Sequence, residues 1–269
     1  MTQEGLQIGL RRTVAEMLLI VVGAVLLLPL GVSAGNVKPL VPCTDSRGCP
    51  DLLVESSRLT QWHVEQRTFT STDCAVVEGE TQTGERFLLR FTSNTPNQGA
   101  GDLIIGNPSD HPEWFDFETC HGHPHFKEYA DYRLWTLQGY AVWTELRKSN
   151  PKSLASDLLR KHSDVAAQMV AGRKQGFCVI DVSPATLSGL FTGGPATYTD
   201  CLTNQGISVG WADEYHFTLD GQWIDVTDIP AGSYILEDEV NAERFFEETN
   251  YANNASAVLI QVPDRPGRK

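Results

Sequence analysis

Three histidines alternate along one short run of the chain, at positions 121, 123 and 125. Side chains of an extended strand alternate between its two faces, so His121, His123 and His125 would share one face and could bind one ion. Neutral imidazoles suit copper, zinc, iron or nickel, and the run has none of the carboxylates that a hard cation prefers. The spacing predicts a metal site and leaves the metal open. The alternative interpretation is a solvent-exposed histidine tract that binds metal without a function.

Side-chain oxygens are concentrated in a second run, ETNYANN at residues 248–254. Calcium binds roughly six to eight oxygen atoms, so this run is a candidate source of ligands. The alternative interpretation is an asparagine-rich turn that closes a hairpin.

The cysteines are even in number, and none of them shows the CxxC spacing of zinc ribbons or redox sites. Three structural disulfides are the expectation for an exported chain, with the connectivity open. Cys43 and Cys49 are close enough in sequence to close a short loop. The six positions are Cys43, Cys49, Cys74, Cys120, Cys178 and Cys201.

The elements that must position these side chains are mostly short strands. Several apolar or alternating runs are separated by turn-rich stretches at residues 93–101 and 228–232, a pattern typical of a sandwich. We therefore predict a mainly β fold with a β-sandwich-like core and long loops. The predicted strands cover residues 86–91, 222–226, 233–236 and 255–262.

One segment, residues 142–170, is helical in pattern, with apolar residues at amphipathic spacing. We predict a helical insertion there, with Ser153 and Ser156 as candidate N-caps. It is either packed on the sandwich as a structural element or it acts as a flap over a substrate site. The apolar positions are Leu154, Leu158, Leu159 and Val165.

The first 34 residues have the pattern of a signal peptide. Arg11 and Arg12 precede an apolar run at residues 17–32, and the small residues Val32 and Ala34 define a cleavage site. We expect residues 35–269 to form the mature domain, secreted to the extracellular space or the periplasm and without stable membrane association after cleavage. The alternative is an uncleaved anchor, although the run is short for a span of about 20 residues.

The chain has 34 acidic and 21 basic residues among 269, a net charge of -13. Binding to phosphate requires clustered lysine and arginine, so this charge argues against nucleic acid as a partner. It favours cationic partners through long-range attraction. The length suffices for one domain with a hydrophobic core.

The histidine run and its neighbours resemble the lysyl oxidase family. TCHGHPH at residues 119–125 is similar to the copper-binding motif of that family, in which a cysteine also precedes the first histidine. Residues 86–99, GRKQGFC at 172–178, Tyr215 with residues 219–228, and the C-terminal run resemble further family segments in the same order. The resemblance covers residues 51–262 and implies a microbial-type single catalytic domain.

This resemblance implies that the three histidines bind Cu²⁺ and that Lys174 and Tyr215 join covalently as lysine tyrosylquinone. A tyrosine ring near Cu(II) can be oxidised by O₂ to a quinone, to which an unprotonated lysine amine can add. The implied reaction converts a primary amine, peptidyl lysine or a related amine, to an aldehyde with release of hydrogen peroxide and ammonia. Without the resemblance, the expectation would be a solvated lysine at Lys174 and a half-buried sheet tyrosine at Tyr215.

The implied chemistry also needs a base, for which Asp225 is the first candidate and Asp228 the second. Both could instead be structural residues of a turn. A carboxylate that acts as a base needs a raised pKa, which burial can provide.

A structural calcium site is a further implication of the resemblance. Asn250 stands where the family typically has aspartate, which removes one negative charge and lowers the expected affinity. The implied ligands are Asp51, the Leu52 carbonyl, Glu248, Asn250, Asn253 and Asn254.

The resemblance implies a disulfide between Cys120 and Cys201. The local partners that the family gives Cys74 and Cys178 are absent here, so the expectation for these two is a bond to each other. Animal members have another disulfide near the cofactor tyrosine and no helical insertion. These departures bear on substrate specificity more than on catalysis.

Two other functions remain open from the sequence. One is a secreted copper-binding β-sandwich protein or mononuclear metalloenzyme that forms no quinone, and for which Lys174 and Tyr215 would have no use. The other is a structural extracellular module stabilised by calcium and disulfides, which metal analysis would separate from both.

Overall fold

The computed structural model describes residues 41–118, 120, 122–185 and 193–265, with Glu118, Lys174 and Gln175 described by their backbone alone. The predicted signal peptide at residues 1–34 lies outside the described residues. The fold is mainly β, as predicted. The strands are β1 Trp62–Phe69, β2 Gly84–Phe91, β3 Ser93–Pro96, β4 Leu103–Gly106, β5 Phe115–Glu118, β6 His123–Trp135, β7 Met169–Phe177, β8 Ser183–Pro184, β9 Gln205–Ile207, β10 Trp211–Tyr215, β11 Trp223–Asp225, β12 Gly232–Val240 and β13 Ala255–Val262. The helices are α1 Ser56–Leu59, α2 Cys74–Val77, α3 Leu137–Ser149, α4 Ala155–Lys161 and α5 Ser163–Ala166, with a 3-10 turn at Pro112–Trp114.

Within the described residues, the strands form four antiparallel sheets. Their orders are β1-β2-β11, β3-β10-β8, β4-β9 and β13-β12-β6-β5, with β7 also paired to β6. One large hydrophobic cluster contains buried side chains from several of these sheets, among them Leu89, Phe126 and Leu236. The core is therefore shared among short sheets, a more divided arrangement than the predicted sandwich.

All four predicted strands correspond to observed ones, β2, β11, β12 and β13, although the predicted strand 222–226 extends one residue beyond each end of β11. The prediction of turns throughout residues 93–101 was wrong at its start, because residues 93–96 form β3 and pair with β10. The polar side chains there are buried and hydrogen-bonded within the protein, as when Ser93 Oγ donates to Asp238 Oδ2 (2.7 Å). Their polarity therefore does not mark a solvent-exposed loop.

Strand β6 carries the histidines at its start and continues into the middle of its sheet. Residues 129–135 are all buried because both faces of the strand are covered. On one face Tyr132 packs edge-on against Phe91 in the core, with ring centroids 4.7 Å apart. On the other face Trp135 stacks on Trp143 of α3 at 5.4 Å. The histidine end is thus continuous with the most buried part of the fold.

The helical insertion is present, but its predicted bounds were wrong. The helices begin at Leu137 and end at Ala166, and residues 169 and 170 already belong to β7. The cap of α3 is Thr136, whose hydroxyl accepts a hydrogen bond from the Gly139 N–H (3.0 Å). Neither predicted cap is used, since α4 follows Leu154 without a side-chain cap. None of the helices in the described ranges is long and apolar enough to span a membrane.

A buried carboxylate cluster attaches the insertion to the sheet. Glu237 of β12 accepts hydrogen bonds from the indole N–H groups of Trp135 (2.9 Å) and Trp143 (3.1 Å). Arg133 of β6 forms ion pairs with Glu237 and Glu239. Buried charges are tolerated when donors and counter-charges surround them, so this cluster fixes α3 on the sheet. The insertion is packed as a structural element, the first of its two interpretations.

Candidate active site

His123 and His125 lie side by side at the start of β6. Residues two apart on a strand share a face, and the two rings converge, with Nε2 atoms 3.1 Å apart and centroids 4.8 Å apart. Two nitrogens that are each roughly 2.0–2.1 Å from a metal lie about 3 Å apart when they occupy neighbouring coordination positions. The separation therefore fits two ligands of one ion. His121 lies outside the described residues, so the three-histidine site stays a prediction.

Gln205 of β9 holds the histidine strand in place. Its side chain is fully buried, and its Nε2 donates to the carbonyls of Pro124 (2.9 Å) and Cys201 (2.8 Å). Its Oε1 accepts from the Val179 N–H (3.0 Å). Sequence reasoning missed this residue, because a single glutamine has no spacing pattern that could reveal it.

The disulfide between Cys178 and Cys201 lies next to His123. A ring nitrogen of His123 and the two sulfur atoms are all within 4.8 Å of one another. Metal binding by cysteine requires the thiolate, which a disulfide does not offer. At this end of β6 the imidazoles, rather than these sulfur atoms, are therefore the groups able to bind a metal.

Tyr215, at the end of β10, is held by the backbone of Cys178. Its hydroxyl accepts from the Cys178 N–H (2.9 Å) and lies 3.2 Å from the Cys178 carbonyl, to which it donates. Its ring centroid is 3.9 Å from that of Phe177, the last residue of β7. Burial raises the pKa of Tyr215, and the negative charge of Asp213 raises it further. The tyrosine is therefore a neutral phenol attached to the end of the strand that contains Lys174.

A pocket of about 550 Å³ brings the tyrosine and the histidine strand together. Tyr215 and His125 both line it, and β7 contributes residues 171–173, 176 and 177. The backbone of Lys174 belongs to the same strand, opposite Asp131 of β6. None of the described residues of α3, α4 or α5 lines the pocket. The strands that contain the predicted copper-binding histidines, Lys174 and Tyr215 thus meet at one cavity.

Acidic residues outnumber basic ones in the wall of this pocket. Arg173 is the one lysine or arginine among its described lining residues; it forms an ion pair with Glu80 and donates to the Gly221 carbonyl (2.7 Å). An excess of acids in a cleft creates a negative potential that attracts cations. The acids are Glu78, Glu80, Asp116, Asp220 and Asp225.

Asp225 lines the pocket but has the surroundings of a structural carboxylate. Its Oδ2 accepts from Thr81 Oγ1 (2.7 Å) and Arg86 Nε (2.8 Å), and its Oδ1 accepts from the Thr227 N–H (2.9 Å). Burial opposes ionisation, but the hydrogen bonds from Thr227, Thr81 and Arg86 outweigh it and lower the pKa of Asp225. A base needs the opposite shift, so these contacts disfavour that role. The second candidate, Asp228, has a side chain that is 78% exposed.

The predicted calcium residues come together from the two ends of the domain. Glu248 is buried, and its Oε2 accepts from the Leu52 N–H (2.8 Å), 196 positions away. Asn254 Nδ2 donates to Glu248 Oε1 (2.6 Å), and Asn253 Nδ2 donates to Asp51 Oδ1 (2.9 Å). Burial raises the pKa of Glu248 to about 7.

Two side-chain oxygens of this group are candidates for binding a cation. Within the described ranges, the buried Oδ1 atoms of Asn253 and Asn254 have no hydrogen-bond partner. Unpaired buried oxygens are costly, and a cation between them and the carboxylates would satisfy them. Asn250 behaves differently, because its Oδ1 accepts from the Ala252 N–H (3.0 Å) at an exposed turn.

All six cysteines form disulfides, and one of the three expected pairs is confirmed. Cys43 is bonded to Cys49. The expected Cys120–Cys201 and Cys74–Cys178 pairs were wrong. The structure has Cys74–Cys120, with Cα atoms 5.7 Å apart, and Cys178–Cys201, with Cα atoms 5.3 Å apart.

The observed pairing follows from packing around the histidine strand. The segment after α2 lies beside Cys120, whose N–H donates to Glu78 Oε1 (3.1 Å). Cys178 directly follows β7, and Gln205 fixes the Cys201 carbonyl close to it. The Cys74–Cys120 bond therefore attaches part of the acidic pocket wall to the histidine run.

Known proteins similar to this chain are lysyl oxidases. The family model described as Lysyl oxidase matches residues 154–265. Lysyl oxidase homolog 1 of Homo sapiens is 28% identical over 236 residues, which cover 83% of this chain and 35% of the human protein. Protein-lysine 6-oxidase of Gallus gallus is 31% identical over 170 residues, 63% of this chain and 32% of the chicken protein. Residues 154–265 thus match a lysyl oxidase family domain, and the similarity to lysyl oxidases extends over most of the chain.

The chain spans about a third of the length of those two relatives. A third relative, Lysyl oxidase homolog 2 of Homo sapiens, is 27% identical over 80% of this chain and 24% of its own length. The family model's match contains Lys174, Tyr215 and Asp225 and begins after the histidine run. The convergence of His123 and His125 is therefore a separate observation from that match.

Proposed function

We propose that this protein is a copper-dependent amine oxidase of the lysyl oxidase family that converts primary amines, peptidyl lysine or a related amine, to aldehydes. The observation that carries the proposal is the single pocket lined by His125 and Tyr215, with β7 as one wall. Bound copper and a quinone formed from Lys174 and Tyr215 would supply the electrophilic carbonyl and the electron transfer to O₂ that yield hydrogen peroxide and ammonia.

The residues of the pocket suit a cationic amine. Five carboxylates line the pocket, four of which pair with an arginine or lysine: Glu80, Asp116, Asp220 and Asp225. The net charge of -13 on the chain still favours an ammonium group over an anion. Phe177 packs against the ring of Tyr215 and limits its orientations, and the Cys178 backbone holds the hydroxyl. Pre-set geometry of this kind reduces the entropy lost when reacting groups meet.

The experiment that tests the proposal uses full-length, copper-loaded, aerated protein. Tryptic mass spectrometry should find the Lys174 and Tyr215 peptides as one covalent species, and the protein should produce peroxide when a primary amine is added. Lys174→Ala and Tyr215→Phe should each retain copper and lose both signals.

Lys148→Ala and Tyr234→Phe are matched controls, since Lys148 is exposed in α3 and Tyr234 donates to the Pro230 carbonyl away from the pocket. Both should keep the covalent species and the activity. Full activity in Lys174→Ala would exclude the quinone. If the unsubstituted protein binds copper but produces no peroxide, the alternative function of a copper-binding protein without a quinone would be favoured.

We further propose that the Asp51–Glu248 region binds one Ca²⁺. The unpaired oxygens of Asn253 and Asn254 support this, together with the carboxylates of Asp51 and Glu248. Since Asn250 bonds within its own turn, we expect it to contribute less than the other residues. Isothermal titration of EDTA-treated protein should give one site per chain, weakened at least tenfold in Asp51→Asn.

Export of the protein is the remaining part of the proposal. Three disulfides connect all six cysteines, and disulfides persist in oxidising compartments such as the periplasm or the extracellular space. We expect the exported protein to begin at Gly35, after cleavage of residues 1–34. N-terminal sequencing of exported protein measures this directly, and a chain that keeps its first 34 residues would contradict it.

A further inference from the structure

Asp213 of β10 is a buried carboxyl group that the proposed function does not use. Its side chain is 1% exposed, and neither oxygen has a hydrogen-bond partner among the described residues. Asp181, also buried, shows the usual alternative, since it accepts from the N–H groups of Thr197 and Ser208. Buried polar groups are nearly always paired, so the two unpaired oxygens of Asp213 require an explanation.

The position of Asp213 connects it to Tyr215. The two residues are two apart on β10, so their side chains point to the same face of that strand. Opposite Asp213 on β3 is Thr95, whose hydroxyl is 2.6 Å from the hydroxyl of the buried Tyr129. The ionisable groups that interact with Asp213 are Asp181 from the loop after β7, Tyr129 from β6 and Tyr215 from its own strand.

The surroundings favour the neutral form of this acid. Burial raises the pKa of Asp213 well above its ordinary value, and the negative charge of Asp181 raises it further. An unpaired buried carboxylate is costly, so the surroundings favour the protonated carboxylic acid over the carboxylate. Once Asp213 ionises, its negative charge opposes the loss of a proton from Tyr215, which lies on the same face of β10.

We propose that Asp213 is a positioning residue for Tyr215, and that its state of charge determines the pH range in which the tyrosine hydroxyl can lose its proton. The inference rests on the proposed function, because oxidation of the Tyr215 ring requires loss of that proton. While Asp213 is neutral, it does not oppose this loss. When Asp213 is ionised, Tyr215 stays a phenol and keeps its hydrogen bond to the Cys178 carbonyl.

The test compares Asp213→Asn, which has the same shape and cannot ionise, with the unsubstituted protein. The rate at which quinone absorbance appears after copper is added to aerated apoprotein is measured across pH. The two rates should agree within about twofold at low pH. Above the pH at which Asp213 ionises, the rate of the unsubstituted protein should level off while the rate of the variant continues to rise. One pH unit above that point, the variant should form the quinone about tenfold faster than the unsubstituted protein.

Asp238→Asn is the matched control. Asp238 is another fully buried acid and is hydrogen-bonded to Ser93. Its negative charge raises the pKa of Tyr132. Its variant should reproduce the pH profile of the unsubstituted protein. If Asp213→Asn is slower by a constant factor at every pH, or levels off at the same pH as the unsubstituted protein, the proposal is wrong.

A second measurement does not depend on quinone formation and separates this inference from the proposed function. In apoprotein labelled with ¹³C at aspartate carboxyls, the resonance that is absent from Asp213→Asn should remain in the protonated position at pH 7. Ultraviolet difference titration against Tyr215→Phe should show Tyr215 ionising about one pH unit lower in Asp213→Asn. An Asp213 resonance that titrates near pH 4, or an unchanged Tyr215 titration, would overturn the inference even in an active enzyme.

Discussion

Asp238 of β12 should make the fold less stable as the pH rises. Its side chain is completely buried, its Oδ2 accepts from Ser93 Oγ (2.7 Å), and its Oδ1 has no partner among the described residues. Burial raises the pKa of Asp238 from 3.8 to about 7, because it outweighs the Ser93 hydrogen bond and the positive charge of Arg133.

The sign and size of the effect follow from linkage between proton binding and folding. The folded protein binds this proton more tightly than the unfolded chain, so the stabilisation is complete below pH 3.8 and is lost as the pH rises through about 7. Each pH unit of difference corresponds to about 1.36 kcal/mol. The free energy of unfolding should therefore fall by about 4 kcal/mol over this range because of Asp238 alone.

Asp238→Asn measures this contribution, because asparagine cannot ionise and the other buried acids are common to both proteins. Denaturant unfolding with the disulfides intact gives the free energy of both proteins between pH 4 and pH 8. The variant should gain about 4 kcal/mol relative to the unsubstituted protein across this range. A difference in stability that stays constant with pH would show that Asp238 titrates normally and would refute the reasoning.

Three further predictions concern the supports of the site. Gln205→Leu removes the side-chain partner of three backbone groups, of which the Val179 N–H is buried and the Pro124 and Cys201 carbonyls are partly buried, so it should lower the free energy of unfolding by roughly 3 kcal/mol and weaken copper binding in a chelator competition. Glu237→Gln removes the charge that pairs with Arg133, so denaturant unfolding should show a loss of about 3–5 kcal/mol and hydrogen exchange should quicken in α3. Calcium at 100 times its dissociation constant should stabilise the protein by about 2.7 kcal/mol over EDTA-treated protein, and this gain should shrink in Asn253→Ala while Asn250→Ala keeps most of it.

Short-range patterns in the sequence were sufficient for several elements. The alternation of residues 255–262 predicts β13 because that strand has one exposed side, where Leu259 lies, and one buried side, where Ile260 lies. The spacing of the histidines predicts that His123 and His125 share a face, and their Nε2 atoms do converge. In both cases the information is local, since the side-chain period of a strand is two residues.

The same local reasoning misplaced the first turn-rich stretch and the start of the insertion. Residues 93–96 are polar because their hydrogen-bond partners lie inside the protein, on β10 and β12. From composition alone, such polar residues are predicted to form a loop. The first helix of the insertion, α3, starts at Leu137 because Thr136 caps it, and this is five residues before the predicted boundary.

By itself, the sequence determined a mainly β chain with a negative charge, a histidine strand and a resemblance to the lysyl oxidase family. Only the tertiary structure decided which cysteines pair, that Asp225 is held by Arg86 and Thr81, and that Asp213 has no partner. Those outcomes depend on contacts between residues tens to hundreds of positions apart. A local pattern specifies which face a side chain occupies, whereas the packing of the sheets decides what lies opposite that face, and therefore its charge and its hydrogen bonds.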